Sequence, residues 1–257
     1  MLLFVICHDE KSFDKASQLC QHWLMKTVKN KFLARPLLVP HSPYMESYIY
    51  KLLIDDPQIE NWETENYVGI VTYSILAKLT VFRKTIIDID WDDVISQAEN
   101  KSLHFIGILA IQFKRGSDED ITLIESGIFH HGFNFYRAWR SLLLELGYNL
   151  DEIENNSQKT GFFCNWIMCT PTLLKSYCQF IKKAMDITEN NELVKKYMFM
   201  NSHYGVGNTS LEQKMNLFGK PYYTLHPFVF ERLLSYYISH VENNMSIGHL
   251  HKIIMHI

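Results

Sequence analysis

Between Tyr222 and Leu234 the chain sets His226, Glu231 and Arg232 among Tyr223, Leu225, Phe228, Val229, Phe230 and Leu233. Ionisable groups in apolar company are costly unless paired or hydrogen-bonded, so these three are either structural locks or working parts. Imidazole and carboxylate are proton-transfer groups, and a guanidinium is a partner for anions. Three further polar sets stand in or beside apolar runs. His8-Asp9-Glu10 follows the run Leu2–Cys7 and reads either as a ligand-facing loop or as a helix cap, a role that suits Asp9 or Ser12. Thr72-Tyr73-Ser74 ends the run that starts at Tyr67; its hydroxyls either hold a sugar or phosphate or close a turn. Asn165 lies within Phe162–Met168, between the flat faces of Phe163 and Trp166. It is either a ligand-facing amide or a core residue, and a buried amide needs several hydrogen-bond partners.

Asp88, Asp90, Asp92 and Asp93 crowd their carboxylates into six residues. Mg2+ and Mn2+ choose such oxygen donors, often beside substrate phosphates, and a D-x-D tripeptide at a strand end suits a metal-bound diphosphate. Asp90 also opens a helical pattern, where it can cap free N–H groups instead. His130-His131, His249, His251 and His256 lack ligand spacing, and Gly205-Val206-Gly207 reads as a loop. No P-loop, nucleophile elbow or dinucleotide fingerprint is present.

The elements that position these groups alternate. Leu2–Cys7 is a continuous apolar run, as in a strand covered on both faces, and Phe13–Lys29 follows with helical spacing. Leu37–Pro40, Tyr67–Ser74 and Leu103–Phe113 read as further strands, Glu46–Ile54 and Asp90–Glu99 as helices, and Lys114–Asp120 as an exposed loop. Alternating strands and helices predict a Rossmann-like parallel or mixed sheet flanked by helices. The later part is more helical: Phe133–Leu146, Pro171–Met185, Glu192–Phe199 and Pro227–His240, with Asn155–Gly161 as a linker or loop. In such sheets ligands bind beyond the carboxyl ends of the strands. The expected organisation is a single domain, residues 1–257, with a nucleotide-binding half (1–125) and an acceptor-side half (126–257).

Bulk properties exclude several classes. The 257 residues are 47% hydrophobic and 14% aromatic, enough for one large core or two modest ones. A net charge of −3 gives no clustered basic footprint for nucleic acid, nor a case for anionic membrane. Lys26, Lys29 and Lys31 read as a solvated face. Five cysteines without a CxxC pair fit a reducing compartment, so a cytoplasmic location is expected. Met1–Cys7 is too short to span a bilayer and lacks the marks of a signal peptide; no transmembrane segment is expected.

Taken in order, Tyr44-Met45-Glu46-Ser47-Tyr48-Ile49-Tyr50, Trp62, Tyr67-Val68-Gly69-Ile70-Val71-Thr72-Tyr73, Phe163-Cys164-Asn165-Trp166-Ile167-Met168 and His226-Pro227-Phe228-Val229-Phe230-Glu231-Arg232-Leu233 resemble a known family. They are similar to glycosyltransferases of large DNA (algal) viruses and bacteria, including capsid- and capsular-glycan enzymes, over roughly residues 1 to 240. The resemblance implies an α/β, GT-A-like fold that binds a nucleotide-diphosphate sugar at the sheet, with the acceptor side built by the more helical C-terminal half. By the same resemblance, His8, Asp9 and Glu10 lie near the nucleotide, Glu46 and Thr72-Tyr73-Ser74 line the donor pocket, and Asn165 and Arg232 belong to the donor site. The strand that carries a metal-binding DxD in many such enzymes ends here in Thr-Tyr-Ser. Either Asp88 and Asp90 supply a Mn2+ or Mg2+ site, or the reaction is metal-independent and Arg83, Lys84 or Arg232 neutralises the leaving diphosphate.

The implied reaction moves a sugar to a hydroxyl of a glycan or glycoprotein, a viral capsid or surface glycan among them. An inverting transfer needs one carboxylate to take the acceptor proton: Glu231, with His226 as neighbour or substitute. The competing reading keeps Glu231 as a lock on Arg232 or on backbone N–H, in a non-catalytic carbohydrate- or nucleotide-binding protein of the same fold.

Overall fold

The computed structural model describes the whole chain except residues 28–31, 60–61, 76–88, 109, 116–118, 163, 165, 206–208, 241–245 and 250–257. Of the residues singled out in the sequence, Lys29, Lys31, Arg83, Lys84, Asp88, Phe163, Asn165, Val206, Gly207, His251 and His256 lie outside the described residues.

Strand β1 (Leu2–Cys7) is fully buried and pairs in parallel with β2 (Leu33–Leu38) on one side and β3 (Val68–Thr72) on the other. Its side chains alternate with period two. Leu2, Phe4 and Ile6 join one core, and Leu3, Val5 and Cys7 join a second on the opposite face. The second core is covered by α1 (Glu10–Lys26) and α3 (Trp91–Asn100). The first lies under α2 (Tyr48–Asp55) and the helices of the later half of the chain.

The sheet does not stop at the midpoint of the sequence. Strand β9 (Ile167–Cys169) runs antiparallel between β3 and β4 (Phe105–Gly107), and β10 (Ile247–His249) adds in parallel beyond β4. The order is β10-β4-β9-β3-β1-β2, six strands of mixed direction. The nucleotide-binding and acceptor halves expected from the sequence thus share one sheet.

The apolar segment Leu103–Phe113 makes two strands rather than one. After β4, β5 (Ala110–Gln112) pairs with β8 (Thr160–Phe162) in a separate antiparallel ladder. The two strands have different partners: Gly107 of β4 pairs with Ile167 of β9, whereas Ala110 of β5 pairs with Phe162 of β8. Gly107 is required there, because a Cβ would collide with the Phe162 ring. The polar stretch read as a loop forms a short hairpin, β6 (Lys114–Arg115) with β7 (Glu119–Asp120).

The helical layer consists of α4 (Leu123–His131), α5 (Phe133–Leu146), α6 (Leu150–Glu154), α7 (Pro171–Asn190), α8 (Glu192–Met198), α9 (Leu211–Phe218) and α10 (His226–His240). Helix α10 is buried nearly all round, as expected of a helix enclosed by others. None of the described helices is long and apolar enough to cross a membrane. All five cysteines are free thiols.

Candidate functional site

Because β1, β2 and β3 are parallel and β9 opposes them, the carboxyl ends of the first three and the entrance of β9 lie at one end of the sheet. Backbone bonds tie this end together: Tyr73 N–H donates to the Ile6 carbonyl at 3.0 Å and Val39 N–H to that of Cys7 at 2.8 Å. His8 lies 3.0 Å from the Val39 carbonyl through Nδ1, so a neutral ring carries its proton there and keeps Nε2 as an acceptor. The His8 and His41 rings stack at 5.1 Å.

Asp9 is the cap of α1. Its carboxylate accepts from Ser12 N–H at 2.7 Å, while the Ser12 hydroxyl accepts from Asp9 N–H at 3.0 Å. Those bonds from Ser12 hold its pKa below the ordinary carboxylate value, with His41 and His8 adding a smaller pull. Glu10 follows, exposed in the first turn. At the end of β3, the buried Thr72 hydroxyl lies 2.9 Å from that of Ser74, and both are neighbours of a half-buried Tyr73. Lys15, an exposed residue of α1, places its ammonium 5.9 Å from the centre of the Tyr73 ring. No sequence signal separates Lys15 from an ordinary solvated lysine; only the folding of α1 against β3 brings it here.

Helix α10 brings Glu231 to the same end through two hydrogen bonds to the segment between β8 and β9. Glu231 and Ser235 are one helical turn apart and so share a face. Glu231 Oε1 accepts from Cys164 N–H at 3.0 Å, and Ser235 Oγ from Phe162 N–H at 2.8 Å. Phe162 ends β8 and Cys164 lies in the turn just beyond it, so one face of α10 bonds an amide on each side of the strand end. Cys164 has a left-handed φ of 59°, costly for a side chain with a Cβ, and the carboxylate holds its amide in that conformation. Glu231 remains part-exposed, which leaves its carboxyl group in reach of solvent.

Other expected site residues are placed differently. Glu46 lies in the Met45–Ser47 turn after β2, which packs against α10 and is anchored by Tyr44, whose ring meets His226 at 4.9 Å and Phe230 at 4.8 Å. That turn belongs to the same end of the sheet. His226 does not serve as an exposed partner of Glu231. It has no accessible surface, stacks on Phe199 at 4.7 Å, and shares a hydrogen bond of 2.9 Å with Thr224 Oγ1. Burial pushes its pKa down to about 3, against a weaker opposite pull from the Pro43 and Met198 carbonyls, so the ring is a neutral core group. Arg232 also turns inward. It is 3% exposed, donates to the Phe228 carbonyl at 3.0 Å and lies 5.1 Å over the Phe135 ring, where a diphosphate has no access. Its charge adds to the burial that brings the neighbouring His131 down to about 3.

Of the carboxylates read as a metal site, the described Asp90 falls at the other end. Asp90 caps α3, accepting from Asp93 N–H at 3.1 Å. The next residue, Trp91, stacks on Phe32 at 5.3 Å and meets Trp23 edge-on at 5.5 Å. Phe32 enters β2 and Trp23 lies in the last turns of α1, so Asp90 sits at the amino end of the sheet, roughly 20 Å of strand from the tips. Asp90 is therefore no ligand for a diphosphate at the tips in this fold. Among the described residues no group of three or more His, Cys, Asp or Glu side chains is arranged to hold a metal ion.

No protein-family profile and no curated protein matches the sequence. In fold, the chain is similar to the apo structure of the bifunctional glycosyltransferase WbbM, with a TM-score of 0.54 and 12% identity. The similarity covers 97% of this chain and 44% of that one, so this chain spans less than half the length of its structural neighbour. The mixed sheet and its flanking helices have the fold of a glycosyltransferase.

Proposed function

We propose that this protein transfers a sugar from a nucleotide-diphosphate donor to a hydroxyl of a glycan or glycoprotein, with inversion. The observation that supports this reading best is the part-exposed Glu231 carboxylate at the end of the sheet where β1, β2 and β3 finish. Fold similarity to a glycosyltransferase agrees with it. In the proposed reaction the acceptor hydroxyl attacks the anomeric carbon, the bond from that carbon to the diphosphate breaks, and Glu231 takes the hydroxyl proton. His8, Asp9, Glu10, Glu46 and the Thr72-Tyr73-Ser74 turn frame the donor side.

The described donors at the tips do not suit a metal clamp: Asp9 is engaged in its cap, Glu10 and Glu46 belong to no group of three described ligand side chains, and Asp90 is at the far end. We therefore assign neutralisation of the leaving diphosphate to cationic side chains, with Lys15 the described candidate, and route no step through a metal. Lys15→Ala should weaken binding of a nucleoside diphosphate about tenfold in calorimetry, and EDTA should leave it unchanged. Loss of binding with EDTA, restored by Mn2+, would reject the assignment. The viral or bacterial glycan acceptors suggested by the sequence resemblance, and a cytoplasmic setting in which five thiols stay free, belong to the same proposal.

The decisive variant is Glu231→Gln. The amide oxygen can still accept from Cys164 N–H, so the lock survives while the base is lost. Turnover should fall by roughly two or more orders of magnitude with donor binding retained. Near-normal turnover would remove Glu231 as the base. A second reading, a non-catalytic sugar- or nucleotide-binding protein, draws on the same hydrogen bond, since a carboxylate that props a left-handed Cys164 needs no reaction to explain it. Donor binding without either transfer or slow donor hydrolysis would favour that reading.

A further inference from the structure

Helix α5 carries two stripes at helical spacing. Phe135, Ala138, Trp139 and Leu142 face the core, while Phe133, Tyr136, Arg137 and Arg140 lie on the outer side. With Leu193 and Tyr197, one turn apart on α8, the outer stripe encloses a cavity of about 320 Å3. That is the lower end of the usual range for small-ligand pockets, about 300–1,000 Å3, and suits one or two sugar rings.

The charge inside it is one-sided. Arg140 is half-buried and has neither a hydrogen bond nor an ion pair among the described residues. Arg137, one turn away, donates to Asn134 Oδ1 at 3.3 Å and lies 5.5 Å from the centre of the Phe133 ring. Lys196 adds positive charge 6.0 Å from the Tyr197 ring. The nearby acid Glu154 accepts from Tyr136 O–H at 2.8 Å and lines a neighbouring cavity instead. A half-buried guanidinium ordinarily meets a carboxylate or phosphate, whose oxygens match its fork. Phe133, 58% exposed, supplies a flat apolar face beside that fork.

We infer that this cavity is an acceptor subsite for a sugar bearing a carboxylate. The carboxylate lies on Arg140 and Arg137, and the C–H face of the sugar ring lies against Phe133 or Tyr197. The inference rests on the transfer reading above, since it names the class of acceptor. The cavity lies on the outer side of α5, opposite the face on which Phe135 packs under Arg232, so it would hold a part of the acceptor remote from the Glu231 carboxylate.

The test is calorimetry of the full chain, without donor, using a galacturonic acid trimer and the same trimer with its carboxylates reduced. The acidic trimer should bind, its reduced form at least tenfold more weakly, and Arg140→Gln should weaken the acidic trimer about tenfold with the melting temperature held. Arg137→Gln, at an exposed position, should weaken it severalfold and serves if Arg140→Gln does not fold. Equal binding of both trimers, no binding of either, unchanged affinity in the folded variants, or displacement of the trimer by equimolar inorganic sulfate would each overturn the inference. Slow hydrolysis of a nucleotide sugar by the unaltered protein, followed in parallel without acceptor, reports on the transfer reading alone. A failed titration and a failed reaction are thereby told apart.

Discussion

The two ends of the sheet use the same residue types for different purposes. At the amino end, the exposed Asp90 bonds its own helix three residues on, and the next residue, Trp91, joins Phe32 and Trp23 in an aromatic cluster. At the carboxyl end, Glu231 crosses 67 positions of sequence to meet Cys164, and His8, Tyr73, Ser74 and Glu46, beyond the strand tips, are all only half-buried. A carboxylate satisfied by its own helix is held by local geometry. One satisfied across the fold is placed by the whole tertiary structure, and is the better candidate for work on a ligand.

The contrast can be broken from either side. Trp91→Ala should cost about 3–5 kcal/mol in urea unfolding, a large part of a typical domain's stability, while the folded fraction keeps its turnover. A comparable loss of turnover per folded molecule would make the amino end functional and erase the distinction. Glu231→Gln should behave the other way, with a loss of roughly two orders of magnitude in rate at nearly constant stability. Glu231→Ala, which leaves the Cys164 amide without that acceptor, should add about 1–3 kcal/mol of destabilisation, measurable by the same unfolding titration.

A pH series sharpens the comparison further. His226, the first residue of α10, and His131, packed beside that helix, are buried, and both are pushed from the ordinary 6.5 to about 3 chiefly by burial. The unfolded chain takes up protons on these rings below about pH 6.5, whereas the folded chain refuses them until about pH 3. Stability should therefore fall as acid is added through that window, on the order of 1 kcal/mol per ring per pH unit. A flat melting temperature there would show that these rings are not held neutral. The smallest effect belongs to the cap: Asp90→Ala should cost about 1 kcal/mol in thermal unfolding and leave donor binding unchanged. Reduced donor binding in that variant would return Asp90 to the candidate site.

Much of the scaffold is legible in the residues. The unbroken apolar runs of β1 and β3 and the helical spacing of α1, α5 and α7 follow from burial on both faces or on one stripe. Helices α4, α6 and α9 lie outside the elements read from apolar spacing, yet each is announced by a capping box, Thr122 with Glu125, Asn149 with Glu152 and Ser210 with Gln213. The break between β4 and β5 is not legible, because it depends on a partner strand some fifty residues later and on the close approach of Phe162 to Gly107. His226 and Arg232 could not be sorted from Glu231 by sequence either. All three sit on one helix in apolar company, and only the packing of α10 sends two of them inward.

By itself, then, the order of residues determined the alternation of strands and helices and the kinds of polar group available, since periodicity and capping are local properties of the chain. Which end of the sheet each carboxylate occupies was decided only in three dimensions. The direction of β9 and the seat of α10 are set by contacts between distant segments, and no local pattern of side chains encodes them.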